Sequence, residues 1–198
     1  MSGRQCISVF LEIMDHEFPR YNQTLPFSGY KVDGQSGIKV HCNLNGLKSV
    51  DYFYEKKTQG KVCFIEFSDL ERHRDSVNAR LAEVGGAKPL TRATKKKILN
   101  TIGCEIHQEL KTKYTDSLSI LSRVERHIEN IPEAFDCTDE EIVFHIVVPP
   151  LTEITEKDRL IDIIKFYDTL KDKVKAVIPS QMISDVIIYP VSKISAAL

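Results

Sequence analysis

No stretch of the chain is apolar for the ~20 residues that a membrane-spanning helix requires. The opening segment, MSGRQCISVFLEIMDHE, places acids among its apolar residues, which argues against a secretory leader. Both absences point to the cytoplasm. Cysteine is scarce and scattered: Cys6, Cys42, Cys63, Cys104 and Cys137 are odd in number, with no CxxC and no Cys/His ligand spacing. That excludes a disulfide framework or a structural zinc site as the organising device, and reduced, buried thiols are expected instead.

An excess of charge of one sign is missing too. The formal net charge is −1, whereas broad, non-specific nucleic-acid binding draws on many Lys and Arg contacts to phosphate. Local basic clusters exist, Arg92 with Lys95-Lys96-Lys97 and Arg72 with Arg74, and they read first as solvated faces. Neither GxGxxG nor GxxxxGK[ST] occurs, so no glycine loop cradles a phosphate. No GxSxG elbow is present for an acyl-transfer serine. The six histidines form no HExxH and no shared helical pair; His41 stands out only because a strand is expected there. The acidic run from Asp136 to Glu141 lacks the glycine and ligand spacing of a calcium loop.

What remains is an ordinary globular composition, 42% hydrophobic and 28% charged over 198 residues. One domain spanning 1–198 is expected. Cys6, Phe10, Ile13, Met14 and Glu17 recur at helical spacing, which predicts a first helix over about 5–17. The Pro- and Gly-bearing segment 19–37 predicts loop. Three strands should follow: 38–44 (IKVHCNL), a turn at Asn45-Gly46, 47–55 (LKSVDYFYE), a polar turn, and 61–67 (KVCFIEF). Asp69 reads as the N-cap of a helix to about Val84, ended by Gly85-Gly86 and Pro89. A long helix is expected from Arg92 to about Asn130, bent near Gly103, then a buried strand in EIVFHIVVPP, a helix over 156–175 and a last strand over 185–191. This order predicts an α/β fold: a mixed central sheet containing an antiparallel three-strand meander, flanked by helices.

Alternation along KVCFIEFS sends Val62, Phe64, Glu66 and Ser68 to one face of their strand. Glu66 therefore interrupts an apolar row. Pairing through the turn near Gly60 would set Asp51 roughly opposite Glu66. Two carboxylates on neighbouring strands repel unless a cation lies between them, and hard oxygen donors suit Mg²⁺ or Mn²⁺.

The string VDYFYEKKTQGKVCFIEFSDL resembles the active-site hairpin of the PD-(D/E)xK, or restriction-endonuclease-like, nuclease superfamily, in which an Asp opens one strand and Glu-x-Lys lies in the next. The order of helix, three strands, helices and strand over 5–148 is similar to that superfamily's core. The resemblance implies a catalytic set of Asp51, Glu66, Ser68 and Lys113, a metal held by Asp51, Glu66 and the Phe67 carbonyl, and DNA or RNA as substrate. Val50 stands where the motif has proline, and Ser68 stands in the lysine slot, where it supplies no cation. Some relatives move that lysine to a nearby helix. Here the stripe through Ile106, Leu110, Ser117 and Leu121 brings Lys113 within about 60° of Leu110 at ~100° per residue. A lysine on an apolar face needs a partner or a route to solvent. The metal-site carboxylates would serve, and snorkelling at the edge of the stripe is the alternative. Glu17 lies on the apolar side of the expected first helix, where such helices sometimes add a carboxylate, but a solvated side chain is the commoner role for one acid near a helix end. The lost lysine slot also fits a nuclease fold without catalysis that acts as a binding or assembly module, with a protein partner or a second copy of the chain.

Overall fold

The computed structural model describes residues 4–18, 21, 24–87, 90–136 and 142–198. In chain order the strands are β1 (Gln5–Cys6), β2 (Leu11–Ile13), β3 (Ser28–Lys31), β4 (Tyr52–Lys56), β5 (Lys61–Phe67), β6 (Ile128–Glu129), β7 (Val143–Val148) and β8 (Asp185–Pro190). The helices are α1 (Ile38–His41), α2 (Leu70–Gly86), α3 (Arg92–Leu121), α4 (Lys157–Val177) and α5 (Ile194–Ala197). The fold is mixed α/β. Six strands form one sheet in the order β2-β3-β4-β5-β7-β8, antiparallel from β2 to β5 and parallel from β5 through β7 to β8. β1 and β6 pair separately, in parallel.

Alternation along the central strands builds two cores. Val62 and Phe64 of β5, with Phe144 and Ile146 of β7, join the core shared with α2, α3 and α4. Cys63 and Ile65 join Val147 and Tyr189 on the opposite face, beneath Met14, Phe18 and Ile194. The helices begin where the sequence supplies caps. The Asp69 carboxylate accepts from the Arg72 N–H at 3.0 Å, and the Thr91 hydroxyl accepts from the Thr94 N–H at 3.2 Å. Tyr114 anchors α3 over the sheet: its ring packs between Phe64 and Phe144, and its hydroxyl donates to the Met182 carbonyl at 2.6 Å.

The expected first helix is not formed. Residues 5–13 make β1, a single 3-10 turn and β2, which pairs with β3 through Leu11↔Tyr30 and Ile13↔Ser28. The β-branched Ile13 suits the extended backbone of β2, which gains a ladder partner that no helix would have. The segment IKVHCNL is also not a strand. It holds one helical turn, α1, that buries Ile38. Gly37 decides this, because a Cβ there would lie 2.3 Å from the Val32 carbonyl oxygen, and only glycine allows the chain to turn so close. Asn45-Gly46 consequently joins no hairpin. The meander's first strand is instead β3, drawn from the segment expected to be loop, and its second begins at Tyr52 rather than at residue 47.

The second hairpin forms as expected, with Tyr52↔Ile65 through Lys56↔Lys61 in register and Gly60 at φ 60° in the turn. α2 runs on through Gly85 and Gly86, and α3 passes Gly103 as helix but ends at Leu121, where a 3-10 turn leads into β6. β7, α4 and β8 occupy the expected segments. Cys42 and Cys63 are buried, but Cys104 is exposed and Cys6 half-buried. Pro89, Cys137 and the acidic Asp139, Glu140 and Glu141 lie outside the described residues. Among the described residues no helix is long and apolar enough to cross a membrane.

His145, in β7, is buried against the Tyr189 ring. Burial, assisted by the Lys56 charge, pushes its imidazole down to about 4. A depressed histidine binds its proton more readily unfolded than folded. Its contribution is therefore present above the unfolded pKa near 6.5 and is lost as pH falls towards 4. We expect His145→Gln to flatten the acid limb of a stability-against-pH curve between about pH 6.5 and 4, where the native histidine costs on the order of 3 kcal/mol. Urea melts across that range check it, and an unchanged limb would place the acid sensitivity elsewhere.

Candidate functional site

β5 runs from Lys61 to Phe67, and β4 starts at Tyr52 directly across from Ile65. Continuing that register by one residue sets Asp51 opposite Glu66. The Asp51 N–H donates to the Ile65 carbonyl at 3.0 Å, and the Phe67 N–H donates to Asp51 Oδ2 at 2.7 Å. The Asp51 side chain thus accepts the next N–H of β5 beyond the start of β4.

Glu66 follows Phe64 on the helical face of the sheet and is only 2% exposed. Across from it, α3 presents Lys113, whose Nζ donates to Glu66 Oε1 at 2.6 Å. The Lys113 side chain is 22% exposed, so it reaches the carboxylate from the edge of the core. Glu66 Oε2 has no hydrogen-bond partner among the described residues.

Burial and the neighbouring Asp51 charge push the Glu66 carboxyl well above the usual carboxylate range, and Lys113 only partly opposes them. Asp51 is raised as well, first by burial and then by the charges of Asp33 and Glu17, against the Phe67 N–H and Lys113. Burial would lower Lys113, but the attraction of Glu66 and Asp51 outweighs it, and the ammonium is held above its ordinary value. Two carboxylates and one ammonium therefore form one coupled group at the end of the sheet.

The sequence-predicted residues are brought together unequally. Asp51, Glu66 and Lys113 meet. Ser68 closes β5 through its N–H to the Val147 carbonyl at 2.9 Å, and among the described residues its hydroxyl bonds none of the other three. The Phe67 ring turns away to the opposite core, beside Phe18, Tyr52 and His16. His41 lies on α1 with its ring tilted against Phe10, and among the described residues it bonds none of Asp51, Glu66 and Lys113. Glu17 is not on a helix, yet it lines a cleft of about 330 Å³ with Asp51, Asp33 and Asp15. Asp33, which ion-pairs with Lys39, is a site neighbour that pattern reading missed. Its signal was the Asp33-Gly34 turn pair directly after the aromatic strand.

Among the described residues no group of three or more His, Cys, Asp or Glu side chains is placed to hold a metal ion. The oxygen donors of Asp51 and Glu66 nevertheless suit Mg²⁺ or Mn²⁺. Such ions commonly take one or two protein carboxylates and fill their other positions with water and substrate phosphate. The partnerless Glu66 Oε2 is consistent with that donor set. Comparisons of the chain with family models, with curated proteins and with solved structures return no match.

Proposed function

We propose that the chain is a Mg²⁺- or Mn²⁺-dependent nuclease of the PD-(D/E)xK type, hydrolysing phosphodiester bonds of DNA or RNA on a restriction-endonuclease-like fold. The observation that carries this reading is the Lys113–Glu66 contact of 2.6 Å. An ammonium stands beside the motif's glutamate although the motif's own lysine position holds Ser68. The order of β3, β4, β5, two helices and a parallel β7 also accords with the resemblance.

In this reading Asp51 and Glu66 hold the metal with the Phe67 carbonyl. When bound, the ion lowers the pKa of a coordinated water and neutralises charge developing on the phosphate. Lys113 favours the ionised form of the buried Glu66 by direct hydrogen bonding and would supply positive charge to the phosphate oxygens. Asp51 is kept in orientation by the Phe67 N–H.

A second reading has its own support. Glu66 is almost sealed, and Lys113 already gives it a charged partner without a metal, which suits a nuclease fold retained as a binding or assembly module. Calorimetric titration with Mn²⁺, alongside cleavage assays on single- and double-stranded DNA and RNA, separates the two. We expect saturable Mn²⁺ binding and Mn²⁺-dependent cleavage, with Asp51→Asn lowering cleavage by at least ~10²-fold. Folded protein that neither binds Mn²⁺ nor cleaves any of the four substrates would leave the assembly module.

A further inference from the structure

A cleft of about 520 Å³ opens where β5 and β7 end side by side. Asp69 lies just beyond β5, and Pro149 and Pro150 just beyond β7; all three line it. The Phe18 ring links this cleft to the one beside Asp51, which Phe67 also lines. It lines the cleft and meets the Phe67 ring edge-on, with centroids 6.1 Å apart. Chain turns at the carboxyl ends of parallel strands leave a crevice, and ligands commonly bind there.

We propose that this cleft holds an unstacked nucleobase bearing an exocyclic amino group, presented by the single strand whose phosphodiester reaches Asp51 and Glu66. The proposal rests on the nuclease reading and names its substrate class. Volume is the first argument, since small-ligand sites run from about 300 to 1,000 Å³. The Tyr21 ring and the apolar surfaces of Pro149, Pro150 and Ile154, backed by the buried Phe18, are the second. A base stacked on an aromatic ring gains roughly tenfold or more in affinity.

Charge narrows the choice further. The carboxylates of Asp69, Glu71, Asp75 and Glu156 outnumber the guanidiniums of Arg72 and Arg159 in the lining. The ion pair of Arg159 with Glu71 cancels one charge of each sign and leaves Asp69, Asp75 and Glu156 against Arg72. A phosphate is repelled from such a lining, so the backbone must pass outside and only the neutral base enters. Carboxylate oxygens accept from the amino group of cytosine, adenine or guanine. Thymine and uracil lack that group and offer the acids a single N3–H flanked by two carbonyl oxygens, a poorer match.

The test is fluorescence anisotropy of the full chain in EDTA with labelled oligo-deoxycytidine, oligo-deoxythymidine and an abasic oligomer of equal length. Because no metal is present, the result is independent of cleavage. The deoxycytidine oligomer should bind about tenfold tighter than the abasic one and several-fold tighter than the deoxythymidine one. Both ratios should collapse towards one in Tyr21→Ala and in Ile154→Asp, and both should survive in Arg126→Ala, at an exposed residue outside the cleft and the carboxylate group. Equal affinity for the deoxycytidine and abasic oligomers overturns the proposal, as do unchanged ratios in both cleft variants. Saturable binding of a basic aromatic peptide, Arg-Phe-Lys-Phe, in place of any oligomer overturns it in favour of a protein ligand. Intact ratios with no Mn²⁺-dependent cleavage would support the base site and sink the nuclease reading alone.

Discussion

Replacing Lys113 with Met should abolish Mn²⁺-dependent cleavage, by about 10²–10³-fold, and cost about 3 kcal/mol of stability at pH 8. Lys113 gives Glu66 its hydrogen-bonded positive partner, and Glu66 is almost fully buried. Removing one member of a buried ion pair leaves the other charge without compensation. The variant can respond by protonating Glu66, whose carboxyl burial already holds well above its usual range.

This gives the effect a definite pH dependence. A carboxyl with a raised folded pKa favours the folded state while protonated, and that advantage is lost as pH rises through the folded value. Without Lys113 the folded pKa rises further, so the penalty of Lys113→Met grows towards alkaline pH and shrinks near pH 5. Urea unfolding of both proteins at the two pH values measures it. An identical loss at both would mean that Glu66 is not the responding group.

Changing both partners at once should have the opposite effect on stability. Glu66→Leu combined with Lys113→Met is expected to be more stable than the wild type by about 1–4 kcal/mol, with no cleavage and no Mn²⁺ binding at the site. The reasoning is the desolvation cost of two ions, which an apolar pair of similar volume does not incur. The surroundings favour the exchange. Glu66 shares its strand face with Phe64 and sits in register with Ile146, both wholly buried. Thermal and denaturant melts of the double variant decide the matter. A less stable double variant would make the pair a structural element, whereas a more stable, inactive one fits an arrangement kept for its chemistry at a cost to stability.

Much of the site was legible because its decisive relations are local. The β4–β5 hairpin closes within a few residues, so alternation and turn chemistry were enough to set Asp51 against Glu66. The 3.6-residue period of α3 was likewise enough to put Lys113 at the border of its buried stripe. The position of Glu17 was misjudged for a physical reason. Apolar residues at 6, 10, 13 and 14 are compatible with a helix, and a strand was formed only because β3 lay available to pair with Leu11–Ile13. In the same way, IKVHCNL has strand-forming residues but became α1 once Gly37 turned the chain against Val32. Asp33 came to the site through these same two departures.

By itself, then, the sequence determined the mixed α/β order, the hairpin that carries Asp51 and Glu66, the capped start of α2 and the amphipathic α3, all written in short-range periodicity and capping residues. The tertiary structure alone decided that β2 and β3 extend the sheet, that Glu17 and Asp33 face Asp51, and that Lys113 reaches Glu66 across 47 positions of sequence. Those outcomes depend on which distant surfaces bury one another, and packing against a partner element overrides local preference wherever the local preference is weak.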